Sequence, residues 1–229
     1  MKNRWESRPE PGPGQAQLYW HVLMRDQPQV CALAAVARQR LAAFAGLHPT
    51  PERWLHLSVL RVGLADGIPQ ASLEAMVGHA RERLGPAGPV TATLGPVRYR
   101  PEAVALDVGP GGVLDPVRAA ILAAAAAAGL RPPGPGPAGE PWLPHVTVAY
   151  STADQPDDPI IAALGRELPA GQITIDSVSL VAQHGPEREW AWQPLVTIPL
   201  RVQPAPVTAP SGPVRDDVGH GFPGGAWPG

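Results

Sequence analysis

The strongest constraint on this chain is a short pattern that occurs twice. His56-Leu57-Ser58-Val59 and His145-Val146-Thr147-Val148 each read histidine, apolar, hydroxyl, apolar, and each lies in an apolar run with the character of a β-strand. Successive side chains on a strand point to opposite faces, so His56 and Ser58 share one face while Leu57 and Val59 take the other, and His145 and Thr147 repeat the arrangement. The setting repeats as well. Residues 18–97 read strand, helix, motif strand, helix, strand, and residues 103–181 read the same series with the second motif in the same place. Such an order predicts two related lobes facing one another, each contributing one histidine.

The individual elements follow from spacing and punctuation. Residues 18–24, 54–62, 90–97, 103–108 and 142–150 read as strands, with 173–181 and 190–200 as a closing strand pair. Residues 30–46, 71–84, 114–130 and 159–168 read as helices, the third started by Asp115-Pro116 because proline is tolerated in a first turn. The chain contains 31 prolines and 25 glycines, an excess that would break these elements if it were spread through them. Much of it is concentrated instead in residues 9–14, 131–139 and 203–229. The expected organisation is a flexible amino-terminal segment over residues 1–17, one domain over 18–200 with interleaved lobes at about 18–97 and 103–200, and a disordered tail over 201–229. The loop at 131–140 leads into the second motif strand and lies either over the cleft entrance or as a passive connection.

Lys and Arg total 18 against 20 Asp and Glu, a net charge of −2, whereas proteins that hold long nucleic acids carry a basic excess. A small or terminal substrate suits that balance. No apolar run is long enough for a bilayer span, and residues 1–6 lack the apolar core of a secretory signal. Cys31 is the single cysteine, so no intrachain disulfide forms and the cytoplasm is the default compartment; the thiol reads as a small buried hydrophobe rather than a nucleophile. No His-Glu-x-x-His helix signals a metal, and Gly109, Gly111 and Gly112 lack the Lys-Ser/Thr ending of a phosphate-binding loop, so neither metal nor cofactor is expected.

Two imidazoles aimed at one space suit proton traffic at a phosphodiester. Attack by water needs a base for the nucleophile and an acid for the leaving oxygen, and an imidazole exists in both forms near neutrality. Hydroxyls at Ser58 and Thr147 are placed to hydrogen-bond the non-bridging oxygens. The other histidines lack the pattern, although His21 lies on the first strand, close to the expected cleft.

The paired H-x-[S/T]-apolar motifs, one per half, resemble those of the 2H phosphoesterase superfamily, in particular its LigT-like or 2'-5' RNA ligase branch, over about residues 18–200. The resemblance implies an α+β, bilobed, pseudo-two-fold repeat of antiparallel sheets with flanking helices around a central cleft. It implies action without a metal on 2',3'-cyclic phosphate or 2'-5' linkages of RNA ends or small nucleotides. His56 and His145 match the family's catalytic histidines, and Ser58 and Thr147 its phosphate-binding hydroxyls. Arg61 stands where the family often has an aromatic residue. Tyr150, just past the second motif, either stacks on a base as a substrate contact or packs, with packing favoured. Two other readings stand beside the enzyme: a module of the same fold that binds an RNA end or nucleotide without cleaving it, and an interaction protein whose Pro-rich tail docks in an aromatic groove.

Overall fold

The computed structural model describes residues 1–6, 11–12, 14–133, 141–169 and 171–201. Its strands are β1 (Ala16–Leu23), β2 (Leu47–Pro49), β3 (His56–Leu64), β4 (Val90–Tyr99), β5 (Ala103–Gly109), β6 (His145–Ser151), β7 (Gly171–Ile175), β8 (Ser177–His184) and β9 (Trp192–Pro199). Its helices are α1 (Pro28–Leu41), α2 (Gln70–Leu84), α3 (Asp115–Ala127) and α4 (Asp158–Leu164). Proline opens every one of them: Pro28, Pro116 and Pro159 stand in the first turn of α1, α3 and α4, and Pro69 caps α2. A first-turn proline gives up no helical hydrogen bond and arrives with helical φ already set, so part of the proline excess initiates structure rather than breaking it.

The strands form one antiparallel sheet in the order β7-β4-β5-β6-β3-β1-β8-β9, with β2 paired to β6. The two motif strands are therefore neighbours at its centre, and β3 meets β6 through Leu57 opposite Val146. The halves of the sheet are not the halves of the sequence. Strand β4, from the first series, pairs with β5 of the second, while β8 of the second pairs with β1 of the first. The helices cross over in the same way: α1 packs against β6 and β7, and α3 against β3.

Alternation sorts the two faces. Leu18, Trp20 and Val22 of β1 and Leu57 and Val62 of β3 enter the main core with Val30, Ala37, Ile121 and Ala125 of the helices. At about 25 cal/mol per Å² of apolar surface, this burial is the main term favouring the fold. The opposite face, which we call the open face, carries Tyr19, Leu23, Val181, Trp190, Trp192, Tyr150 and Ala103 as a separate aromatic cluster, together with the motif histidines.

Three elements differ from the sequence reading. The strand expected over 173–181 breaks at Asp176, which accepts the Ser177 hydroxyl on its carboxylate and the Leu200 N–H on its carbonyl. Its two pieces pair on different halves of the sheet. Helix α1 stops at Leu41 rather than Gly46, because the chain turns there to lay β2 along β6. Residues 1–6, expected to be flexible, are held down: Arg4 is only 8% exposed, and the Lys2 N–H donates to the Pro101 carbonyl at 2.5 Å. The cleft-loop expectation for 134–140 and the tail expectation for 202–229 fall outside the described residues.

Candidate functional site

Both motif histidines are fixed by the same local device. The His56 Nδ1 lies 2.7 Å from the Trp54 carbonyl and the His145 Nδ1 lies 2.7 Å from the Leu143 carbonyl. A carbonyl only accepts, so each Nδ1 carries the proton and each Nε2 presents its lone pair. The Arg100 Nη1 donates toward the His145 Nε2 at 3.4 Å, which agrees with that tautomer. Extending the Leu57–Val146 register by one residue in each direction sets His56 across from Thr147 and Ser58 across from His145, all on the open face. The structure thus brings together His56, Ser58, His145 and Thr147. Ser58 is exposed and Thr147 is 8% exposed, while both imidazoles are partly buried.

Each motif strand also carries a register shift at its fourth motif residue. His21 pairs with Ser58 and Trp20 with Leu60, which skips Val59; Ala105 pairs with Thr147 and Val104 with Ala149, which skips Val148. The extra residue returns the fifth position after each histidine to the open face. Those positions are Arg61 and Tyr150, opposite Tyr19 and Ala103.

Tyr150 does not serve as an open stacking platform. It is 5% exposed, with the Arg4 guanidinium 4.3 Å above its ring, Trp5 at 5.6 Å and Trp190 at 5.4 Å. Arg4 in turn holds Glu187 through Nη2 at 2.7 Å and Glu102 at 3.3 Å, so the amino-terminal segment ties the β4–β5 turn to the β8–β9 turn over that ring. Tyr150 thus takes the packing arrangement of the two expected for it.

His56 is flanked by groups from other strands. His21 lies with its ring centroid 4.3 Å away and is itself stacked with Tyr19 at 5.1 Å, and Trp192 stands edge-on to His56 at 5.7 Å. His21 is 2% exposed, and burial first, then the neighbouring His56, hold its pKa well below the ordinary 6.5. Burial also lowers His56, opposed by the Trp54 carbonyl. His145 is lowered by burial and by Arg100, opposed by the Leu143 carbonyl and Asp107, and the charge of His56 lowers it further. Sequence reasoning kept His21 in view but missed Arg100 and Trp192. Arg100 belongs to a turn and Trp192 to the last strand, and neither sits near a motif in the chain.

These three depressed imidazoles have a consequence for stability. The unfolded chain takes up protons near pH 6.5 that the folded chain refuses, so stability is complete above that value and declines as pH falls below it toward the folded pKa values. Urea midpoints are expected to fall between about pH 7.5 and about pH 5, and to fall less in His21→Phe, whose ring cannot titrate. A midpoint drop of the same size in that variant would count against the burial of a neutral His21.

Among the described residues no three His, Cys, Asp or Glu side chains gather as a cation site. None of the described helices is long and apolar enough to cross a membrane. Cys31 is partly exposed on α1, and burial raises its thiol pKa, the opposite of an activated nucleophile.

The family model described as the 2'-5' RNA ligase superfamily matches residues 27–187. Among solved structures, TT0787 of Thermus thermophilus superposes with a TM-score of 0.58 at 20% identity, covering 81% of this chain and 98% of that one. E. coli LigT complexed with ATP gives 0.59 at 16% identity, with coverage of 82% and 99%. The MHV ns2 PDE domain gives 0.53 at 11% identity, with coverage of 75% and 99%. No curated protein matches the sequence. The structural likenesses establish a shared α+β fold, an antiparallel curled sheet with flanking helices.

Proposed function

This chain belongs to the 2'-5' RNA ligase superfamily, and from that premise we propose that it is a metal-independent phosphodiesterase acting on 2',3'-cyclic phosphate or 2'-5' linkages of RNA ends or nucleotides. The observation that carries the reading is the pair of imidazoles oriented by matching carbonyl contacts at 2.7 Å through Nδ1, so that Nε2 is the proton-exchanging atom of each ring. The chemistry is a simple displacement. Water attacks the phosphorus of the cyclic diester in line, one Nε2 takes the water proton, and the other, entering as imidazolium, gives its proton to the departing ribose oxygen. A P–O bond forms, another breaks, and the product is a phosphomonoester beside a free hydroxyl. Ser58 and Thr147 donate to the non-bridging oxygens, and Arg100, at 3.4 Å from the His145 Nε2, adds positive charge where the phosphate sits.

The imidazole pair also favours this reading over a module that only binds. A binding site needs donors and charge, which the hydroxyls and Arg100 supply, whereas two partly buried imidazoles add proton carriers. The test is a panel of 2',3'-cyclic mononucleotides, RNA with a cyclic-phosphate end, and 2'-5' linked dinucleotides, with and without a chelator. Turnover that survives chelation is the expected result, with Thr147→Ala lowering kcat/KM by about 10- to 100-fold through loss of a donor to the developing charge. Binding without turnover across the whole panel would leave the non-catalytic module as the reading.

A further inference from the structure

The matched positions five residues beyond each histidine have opposite fates. At Tyr150 the amino-terminal segment covers the open face, whereas at Arg61 nothing among the described residues does, and the side chain is exposed. The arginines of this face divide the same way. Arg4 is neutralised by Glu187 and Glu102, and Arg98 by Asp107, whose two carboxylate oxygens accept from Nε at 2.7 and 3.0 Å. Arg100 is turned to His145. Arg61 makes no ion pair among the described residues, and its one hydrogen bond runs from Nη2 to the Gln17 Oε1 at 3.0 Å.

Gln17 is itself only 3% exposed, so that contact braces the guanidinium against a fixed amide rather than a mobile surface group. The remaining N–H donors form a fork that suits two oxygens of one phosphate. Arg61 is the next open-face position after Ser58 on β3, and two such positions lie about 7 Å apart along a strand, more with an extra residue between them. One ribose spans a distance of that order between its 2',3' oxygens and its 5' phosphate. A net charge of −2 lacks the basic excess of proteins that hold a long polyanion, so one additional fixed cation marks a point contact.

We propose that Arg61, braced by Gln17, forms a subsite for a second phosphate on the 5' side of the reacting ribose. The site then selects nucleotides linked through a 5' phosphate, as at an RNA end, over nucleosides carrying the cyclic phosphate alone. The inference rests on the cyclic-phosphate reading above for the placement of the first phosphate.

Two measurements test it together. The first compares kcat/KM for adenosine 2',3'-cyclic phosphate with that for its 5'-phosphorylated form, in wild type and Arg61→Gln. The second compares, by calorimetry, the affinities of adenosine 3'-monophosphate and adenosine 3',5'-bisphosphate for the same two proteins. Wild type is expected to favour the 5'-phosphorylated member of each pair by about tenfold, the scale of one charge-assisted contact, and Arg61→Gln to bring both ratios close to one. Wild-type ratios near one, or ratios that Arg61→Gln leaves intact, overturn the subsite. An Arg61-dependent affinity gap in a protein that turns over neither cyclic substrate would keep the subsite and remove the catalytic reading; turnover without a gap would do the reverse.

Discussion

Alanine at either His56 or His145 is expected to lower kcat on a 2',3'-cyclic nucleotide by about 10²- to 10⁴-fold, the range for loss of a positioned acid or base, with KM changed by only a few-fold. The two groups act in one displacement, so the double variant is expected to fall little below the poorer single one. The pH profile carries a second mark of the pair. Burial lowers both imidazoles, and the charge of His56 lowers His145 further, so kcat/KM is expected to be bell-shaped with its maximum on the acid side of pH 6.5. A bound anionic phosphate stabilises the imidazolium form, which moves the maximum for kcat to higher pH than that for kcat/KM. Turnover within tenfold of wild type in either alanine variant, or a profile with a single ionisation, would remove the paired mechanism.

What the sequence could show of this site and what it could not follow from the range of the interactions involved. The alternation on two apolar strands is enough to put His56 with Ser58 and His145 with Thr147, because strand pleating is a local rule. The direct pairing of those strands at Leu57 and Val146 is not legible in the repeat, which places one motif in each of two facing lobes and says nothing of which strands share hydrogen bonds. The shifts at Val59 and Val148 leave no local signature, and they alone decide that Arg61 and Tyr150 face the site. Arg100 reaches His145 only because β4 and β5 turn back beside β6, and Trp192 reaches His56 only because β9 closes the far side of the sheet. The amino-terminal segment differs from its expectation for a related reason. Its composition is that of a tail, while Arg4 is held by Glu187 and Glu102, partners 183 and 98 positions away.

The seam between the motif strands is where fold and chemistry are most tightly joined. Leu57 is fully buried, sits between the two motif groups of β3, and supplies the residue pair through which β3 meets β6. Leu57→Ala is expected to cost about 2–5 kcal/mol, the range for emptying a buried leucine site. Stability alone would not distinguish this position from any other in the core, so the informative comparison is Leu60→Ala, further along the same strand and also buried in the main cluster. Both variants should lower the urea midpoint. Only Leu57→Ala should also lower kcat in protein that circular dichroism shows to be folded, because the cavity lies directly behind His56 and Ser58, and a displacement of about 1 Å in a reacting group is enough to cost around 10²-fold. If folded Leu57→Ala keeps its kcat, the separation of the two imidazoles is set by their carbonyl contacts at Trp54 and Leu143 rather than by the packing of the seam, and alanine substitution there would be a matter of stability alone.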